Sequence, residues 1–250
     1  MSPPLVIAHR GDSDRRPENT LLAFESALAA GAELVELDVQ LSRDEQVVVI
    51  HDDRVDRTTD GRGVVSEMTL DELRRLSAGY PSRFGANYQG ERVPTLAEVL
   101  KLLSGRARVM IEIKHGTPAG AEGPGIEGRV VEEVHRLGAS DGVALISFDP
   151  AAVKRVLALA PEITRGRLFE SGRPEAVVQS ALDCGASVVI AEKGMLSGEL
   201  RDRARDAGLR LGGFLVDDPA ELPALRRFEL FGIGTNRPAA LLSALADGQT

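Results

Sequence analysis

The segment Leu34-Val35-Glu36-Leu37-Asp38-Val39-Gln40-Leu41-Ser42-Arg43-Asp44-Glu45-Gln46-Val47-Val48-Val49-Ile50 holds two strand-like runs, 34–39 and 47–50, with only seven residues between them. A parallel crossover needs about a dozen residues, so this pair must be an antiparallel hairpin with Ser42-Arg43-Asp44-Glu45 as its turn. Outward from it, short runs rich in Val, Ile and Leu recur at 5–9, 108–114, 143–148, 163–169, 187–191, 210–216 and 230–235. Stretches of helical period lie between most of them, at 20–30, 96–103, 126–137, 151–160, 174–184, 199–207 and 238–246. Several open on Pro or Asp and close on Gly, as at Gly31, Gly138, Gly185 and Gly208. With the return strand of the hairpin set aside, eight strands joined by crossovers remain. That count predicts an α/β fold of the (β/α)8 TIM-barrel type. An open doubly wound sheet would carry a Gly-rich phosphate loop after the first strand, where this chain reads His9-Arg10-Gly11-Asp12. Segment 52–94 is charged and Gly-rich without a strong strand. It reads as a small insertion after the hairpin that follows strand 2, inside one barrel domain spanning 1–250.

The composition bounds the function. Of 250 residues, 43% are hydrophobic and 27% charged, so the chain can bury a core and is not disordered in the main. A balance of 30 Lys and Arg against 38 Asp and Glu, net −8, argues against a nucleic-acid partner, which calls for a basic face. The one cysteine, Cys184, has no internal disulfide partner and reads as ordinary structure. No apolar run reaches the ~18 residues of a membrane span. Met1-Ser2-Pro3-Pro4 leads into a strand-like run without the features of a signal peptide. The expected setting is cytoplasmic and the expected partner a small molecule; the oligomeric state is not legible.

Chemistry enters with the alternation of strand 2. Val35, Leu37 and Val39 share one face, and Glu36 and Asp38 the other. In a barrel the apolar set meets the helices, which points the two carboxylates inward. Strand 108–114 repeats the pattern, with Val109, Ile111 and Ile113 opposite Met110, Glu112 and Lys114. Three acids and a lysine then converge at the C-terminal mouth, where barrel enzymes keep their chemistry. Any one acid alone reads equally well as a solvated strand end or an ion-pair partner of Arg10 or Lys114. Three in phase demand a cation or protons, and an all-oxygen set selects Mg²⁺ or Ca²⁺ over Zn²⁺. His9 ends the first strand, and folding about Asp44 sets His51 opposite Leu37, beside Glu36 and Asp38. Two histidines can serve as base and acid, while Arg10 and Lys114 offer positive charge to an anionic oxygen group. His115 is a weaker candidate, and His135 belongs to a helix. Pro17-Glu18-Asn19-Thr20 reads as a helix start with Asn19 or Thr20 as N-cap; Glu18 sits in the loop above the site.

His9-Arg10-Gly11, Pro17-Glu18-Asn19-Thr20, Glu36-Leu37-Asp38-Val39, His51-Asp52, Arg57-Thr58-Thr59, Pro94-Thr95-Leu96 and Glu112-Ile113-Lys114, in that order, resemble the glycerophosphodiester phosphodiesterase family. The resemblance is strongest over the N-terminal half. It implies a (β/α)8 barrel with an insertion after the second histidine. It also implies one divalent cation, Mg²⁺ or Ca²⁺, on Glu36, Asp38 and Glu112, with His9 as base and His51 as acid. Arg10 and Lys114 match phosphate-contacting positions, and Glu18 and Phe214 complete the expected substrate contacts. The implied reaction is hydrolysis of a glycerophosphodiester to glycerol 3-phosphate and an alcohol, with water or the substrate's own 2-hydroxyl as nucleophile. In the second half, Ser147-Phe148 fits the pattern. Phe214 stands in for a late tryptophan that this chain lacks, and Asn236 stands where many members have Asp; both departures bear on the alcohol-side pocket. Other classes are a phospholipase D acting on lysophospholipids, which needs an apolar entrance, and a metal-dependent barrel lyase, which leaves two histidines without a task. A catalytically silent metabolite-binding barrel is the non-enzyme reading.

Overall fold

The computed structural model describes residues 3–116 and 123–247. Nine strands form one sheet: β1 (Leu5–His9), β2 (Leu34–Leu41), β3 (Val47–Val49), β4 (Arg108–Ile113), β5 (Val143–Ser147), β6 (Thr164–Phe169), β7 (Val188–Glu192), β8 (Arg210–Phe214) and β9 (Gly232–Thr235). The order β1-β9-β8-β7-β6-β5-β4-β2 is parallel throughout, and pairing of β1 with β2 closes the ring into a (β/α)8 barrel. β3 lies antiparallel on β2 with Val39 opposite Val49 and Leu41 opposite Val47, which is the hairpin expected from the seven-residue gap. The backbone N–H of Ile50 still donates to the carbonyl of Asp38 at 3.0 Å, so the same register carries His51 to the level of Leu37. β4 and β8 end a residue or two earlier than their apolar runs, where the chain leaves the sheet for the mouth loops.

The two faces of the strands have separate tasks. Val35, Leu37 and Val39 of β2 and Ile111 and Ile113 of β4 face outward. They pack with Phe24 and Ala27 of helix Leu21–Ala29 and with Leu96 and Leu100 of helix Leu96–Leu103. Thr20 and Thr95 cap these helices by accepting from the N–H groups of Ala23 and Glu98, and Glu98 closes a capping box. Inward, Ile7, Leu34, Met110, Ile146, Leu168 and Ile190 form an apolar floor across the barrel. Two residues further along the same strands come His9, Glu36 and Glu112, so the period of two sets a polar layer directly on that floor.

Segment 52–94 adds a short 3₁₀ turn and the helices Leu70–Arg75 and Pro81–Phe84. Val55, Val65, Leu73 and Val93 form a small core with Val48 and Ile50 of the hairpin, which anchors the segment beside the mouth. The crossover from β8 to β9 holds only short turns around helix Leu222–Leu225, in keeping with the lack of helical period there. Among the described residues no helix is long and apolar enough to cross a membrane.

The turn after β1 is tightly constrained. Arg10 and Gly11 are consecutive residues with positive φ, 56° and 84°, and Asp12 then donates its N–H to the carbonyl of Ala23 at 3.0 Å. A Cβ on Gly11 would lie 2.6 Å from the carbonyl carbon of Ala23. Only glycine fits both the conformation and the close approach. Gly11→Ala should therefore cost about 2 kcal/mol or more of stability, read as a lowered urea midpoint. An unchanged midpoint would show that this turn is not held as described.

Candidate active site

Register builds the site. In the ring, His9 of β1 pairs with Glu36 of β2, and Asp38 of β2 pairs with Glu112 of β4. Carboxylate oxygens of Glu36, Asp38 and Glu112 all lie within 4.8 Å of one another, and all three residues are buried. Burial, and then the charges of Asp38 and Glu112, hold the Glu36 carboxyl well above the ordinary glutamate range. Burial and Asp38 push Glu112 up to about 7. Burial also opposes ionisation of Asp38, yet Arg10 and Lys114 overcome it and hold that carboxyl below its usual value. The cationic neighbours thus favour ionisation of Asp38, while burial and like charge shift Glu36 and Glu112 toward the protonated form.

The donor set fits a divalent cation. Glu36 Oε1 and Asp38 Oδ1 are buried with no hydrogen-bond partner, a costly arrangement that a cation between them would relieve. Lys114 Nζ lies 2.7 Å from Glu112 Oε1 and 3.6 Å from Asp38 Oδ1. Arg10 donates its backbone N–H to Glu36 Oε2 at 3.1 Å and sets its guanidinium Nε 3.1 Å from Asp38 Oδ2. Asn19 donates from Nδ2 to Asp38 Oδ2 at 2.7 Å. This corrects the helix-start reading of Asn19. Thr20 alone is the N-cap, and Asn19 is buried in the left-handed region (φ 58°) and orients a carboxylate of the cluster. Asparagine tolerates that conformation better than most residues, and its place just ahead of the cap was the available signal.

Both histidines are held by their Nδ1 atoms. Asn236 donates from Nδ2 to Asp217 Oδ2 at 2.8 Å, which turns its Oδ1 toward His9. His9 Nδ1 is 2.8 Å from that oxygen and so carries the proton, leaving Nε2, 4.0 Å from Glu36 Oε2, to face the site. Burial, followed by Arg10, lowers the His9 pKa to about 4. His51 Nδ1 lies 2.6 Å from Asp52 Oδ1, the same arrangement with a carboxylate as acceptor, and burial lowers its pKa as well. Arg57 hydrogen bonds hold Asp52 down at about 2. Sequence reasoning assigned no role to Asp217 or Asp52, and it connected Asn236 with the alcohol side; the structure sets Asn236 against His9 instead. Nothing in the sequence brings residues 217 and 236 to residue 9, because that contact depends on ring closure.

The remaining candidates separate. Glu18 does not stand alone above the site: it accepts from Arg10 Nη1 at 2.8 Å and from both terminal nitrogens of Arg57 at 2.8 Å. Phe214 packs edge-on against Phe148 with centroids 6.3 Å apart. The two rings line a cavity of about 200 Å³ whose other wall includes His9, Arg10, His51, Glu112 and Lys114. Glu170, unassigned from sequence, lines the same cavity. His115 is exposed one residue beyond Lys114, and His135 pairs with Glu162 at 2.7 Å on an outer helix, as its helical setting predicts. Cys184 is buried.

Comparison with known proteins identifies the family. The model of the glycerophosphoryl diester phosphodiesterase family matches residues 9–240. A glycerophosphodiester phosphodiesterase of Caldanaerobacter subterraneus subsp. tengcongensis is 37% identical over 98% of each chain. One from Bacillus subtilis is 31% identical over 94% of this chain and 84% of its own. Among solved structures, a phosphodiesterase of Oleispira antarctica in complex with the product sn-glycerol-3-phosphate superposes with a TM-score of 0.87 at 31% identity, covering 97% of each chain. With the barrel, the acidic cluster and these relatives in agreement, the chain belongs to the glycerophosphoryl diester phosphodiesterase family.

Proposed function

We propose that the protein hydrolyses glycerophosphodiesters to glycerol 3-phosphate and an alcohol, using one Mg²⁺ or Ca²⁺ ion and the pair His9 and His51. The observation that carries this reading is the pairing of a buried three-carboxylate cluster with two histidines, each tethered through Nδ1 beside the same cavity. The sn-glycerol-3-phosphate found in the Oleispira relative supports the product assignment.

Glu36, Asp38 and Glu112 would hold the cation, which supplies Lewis-acid polarisation of a phosphoryl oxygen. Arg10 and Lys114 lie beside the cluster and balance negative charge on the phosphodiester and its transition state. His9, with a depressed pKa and an unprotonated Nε2, is suited to accept a proton from the attacking hydroxyl. His51 donates a proton to the departing alkoxide. An anionic diester in the cavity favours the charged imidazolium and so counters the burial that lowers the pKa of His51. Phe148 and Phe214 offer an apolar wall to the alcohol group.

The assay is release of glycerol 3-phosphate from glycerophosphocholine, with lysophosphatidylcholine as a second substrate and buffer alone as control. The diester should turn over and the lysolipid should be poor. Turnover of the lysolipid alone would favour the phospholipase D reading, and turnover of neither would favour a silent binder. His9→Ala and His51→Ala should each lower kcat by about 10²- to 10⁴-fold with the circular dichroism spectrum unchanged. Near-normal rates in both would remove the histidine pair. A chelator should abolish activity and added Mg²⁺ or Ca²⁺ restore it; an activity indifferent to chelator would remove the cation.

A further inference from the structure

Arg57 lies outside the barrel strands, in the segment that follows the hairpin, and its guanidinium uses all five N–H donors. Nε donates to Asp52 Oδ2 at 2.7 Å and Nη2 to Asp52 Oδ1 at 2.9 Å. Nη2 also reaches Glu18 Oε1 at 2.8 Å, and Nη1 reaches Glu18 Oε2 at 2.8 Å and the Tyr80 hydroxyl at 3.1 Å. The Tyr80 ring stacks over the same guanidinium, 5.4 Å from centroid to Cζ. Each bridged carboxylate has a second partner inside the site. Asp52 holds His51 Nδ1 at 2.6 Å, and Glu18 holds Arg10 Nη1 at 2.8 Å. One planar cation therefore ties the orientation of a histidine to that of the arginine beside the carboxylate cluster.

We propose that Arg57 is a positioning residue that fixes the His51 ring through Asp52 and the Arg10 guanidinium through Glu18, so that the segment 52–94 completes the active site. The inference rests on the proposed role of His51. Geometry makes it specific to arginine. Two adjacent edges of a rigid fork meet two carboxylates in a bidentate fashion, and a lysine, with three donors around one nitrogen, cannot span both. Released from Arg57, the carboxylate of Asp52 loses two charge-assisted hydrogen bonds and can rotate away from Nδ1. His51 is then free to adopt the other tautomer or another rotamer.

The test uses Arg57→Lys, with Asp52→Asn cutting the same link from the other side, in the full chain with Mg²⁺ or Ca²⁺ present. The chain has four histidines, so imidazole nitrogen shifts in ¹⁵N-histidine-labelled protein are assignable by single substitutions. In the native protein His51 should show the Nδ1–H tautomer. In both variants it should move toward a mixture, while His9, held by Asn236, stays unchanged. With glycerophosphocholine, Arg57→Lys should lower kcat about 10- to 100-fold, the usual effect of losing an outer-sphere orienting partner. The same substitution should add less than about 3-fold in the His51→Ala background, because residues acting through one another are not additive. An unmoved His51 signal, an equal disturbance of His9, or an additive loss in the double variant would each overturn the proposal. Wild-type protein that leaves glycerophosphocholine intact would refute the proposed function instead, and the imidazole shifts would still judge the positioning role.

Discussion

Three carboxylates buried within 4.8 Å of one another cannot all be charged without compensation, and much of the polar structure at the mouth follows from that constraint. Arg10 and Lys114 are the immediate counterions. Arg10 can reach the cluster because it leaves β1 with positive φ, and the chain can turn there because Gly11 follows it. Asn19 accepts a left-handed backbone to reach Asp38. Glu18 then balances Arg10, and Arg57 balances Glu18 and Asp52 together. Charges alternate from the centre outward, so Asp38, Arg10, Glu18, Arg57 and Asp52 each meet an opposite charge.

The same constraint explains why the site sits where it does. Within the barrel the period of two stacks inward side chains in levels, and the lower level is filled from six of the eight strands by Ile7, Leu34, Met110, Ile146, Leu168 and Ile190. Such a floor excludes water beneath the carboxylates and strengthens every electrostatic interaction above it. Parallel register then fixes which residues become neighbours. His9 beside Glu36, and Asp38 beside Glu112, are consequences of how β1, β2 and β4 pair. A shift of one residue in β2 would bring Leu37 inward and turn both acids toward the helices.

Much of this was legible from local pattern. The short gap between 39 and 47 forces a hairpin, which sets the strand count, and the alternation of 34–39 and 108–114 selects the inward acids. The hairpin register also placed His51 correctly, because a tight turn leaves little freedom. What escaped the sequence is contact made through ring closure or through irregular chain. Asn236 and Asp217 reach His9 only because β9 pairs with β1. Asn19 looked like a second cap residue, since Asn and Thr are both good caps and only the backbone dihedral distinguishes them. Arg57 and Tyr80 lie in a segment with little periodicity, where spacing carries no information about which side chains meet.

On the proposed reading Glu36, Asp38 and Glu112 would hold a cation, and burial favours protons on two of them, Glu36 and Glu112, while the cluster is cation-free. Isothermal titration of the cation-free protein with Mg²⁺ or Ca²⁺ in buffers of different ionisation enthalpy tests it most directly. With Glu36 well above its ordinary range and Glu112 at about 7, cation binding should displace protons. The heat should then depend on the buffer, and affinity should rise as pH increases through about 7. Buffer-independent heats with an affinity that stays flat from about pH 6 to about pH 8 would contradict the account.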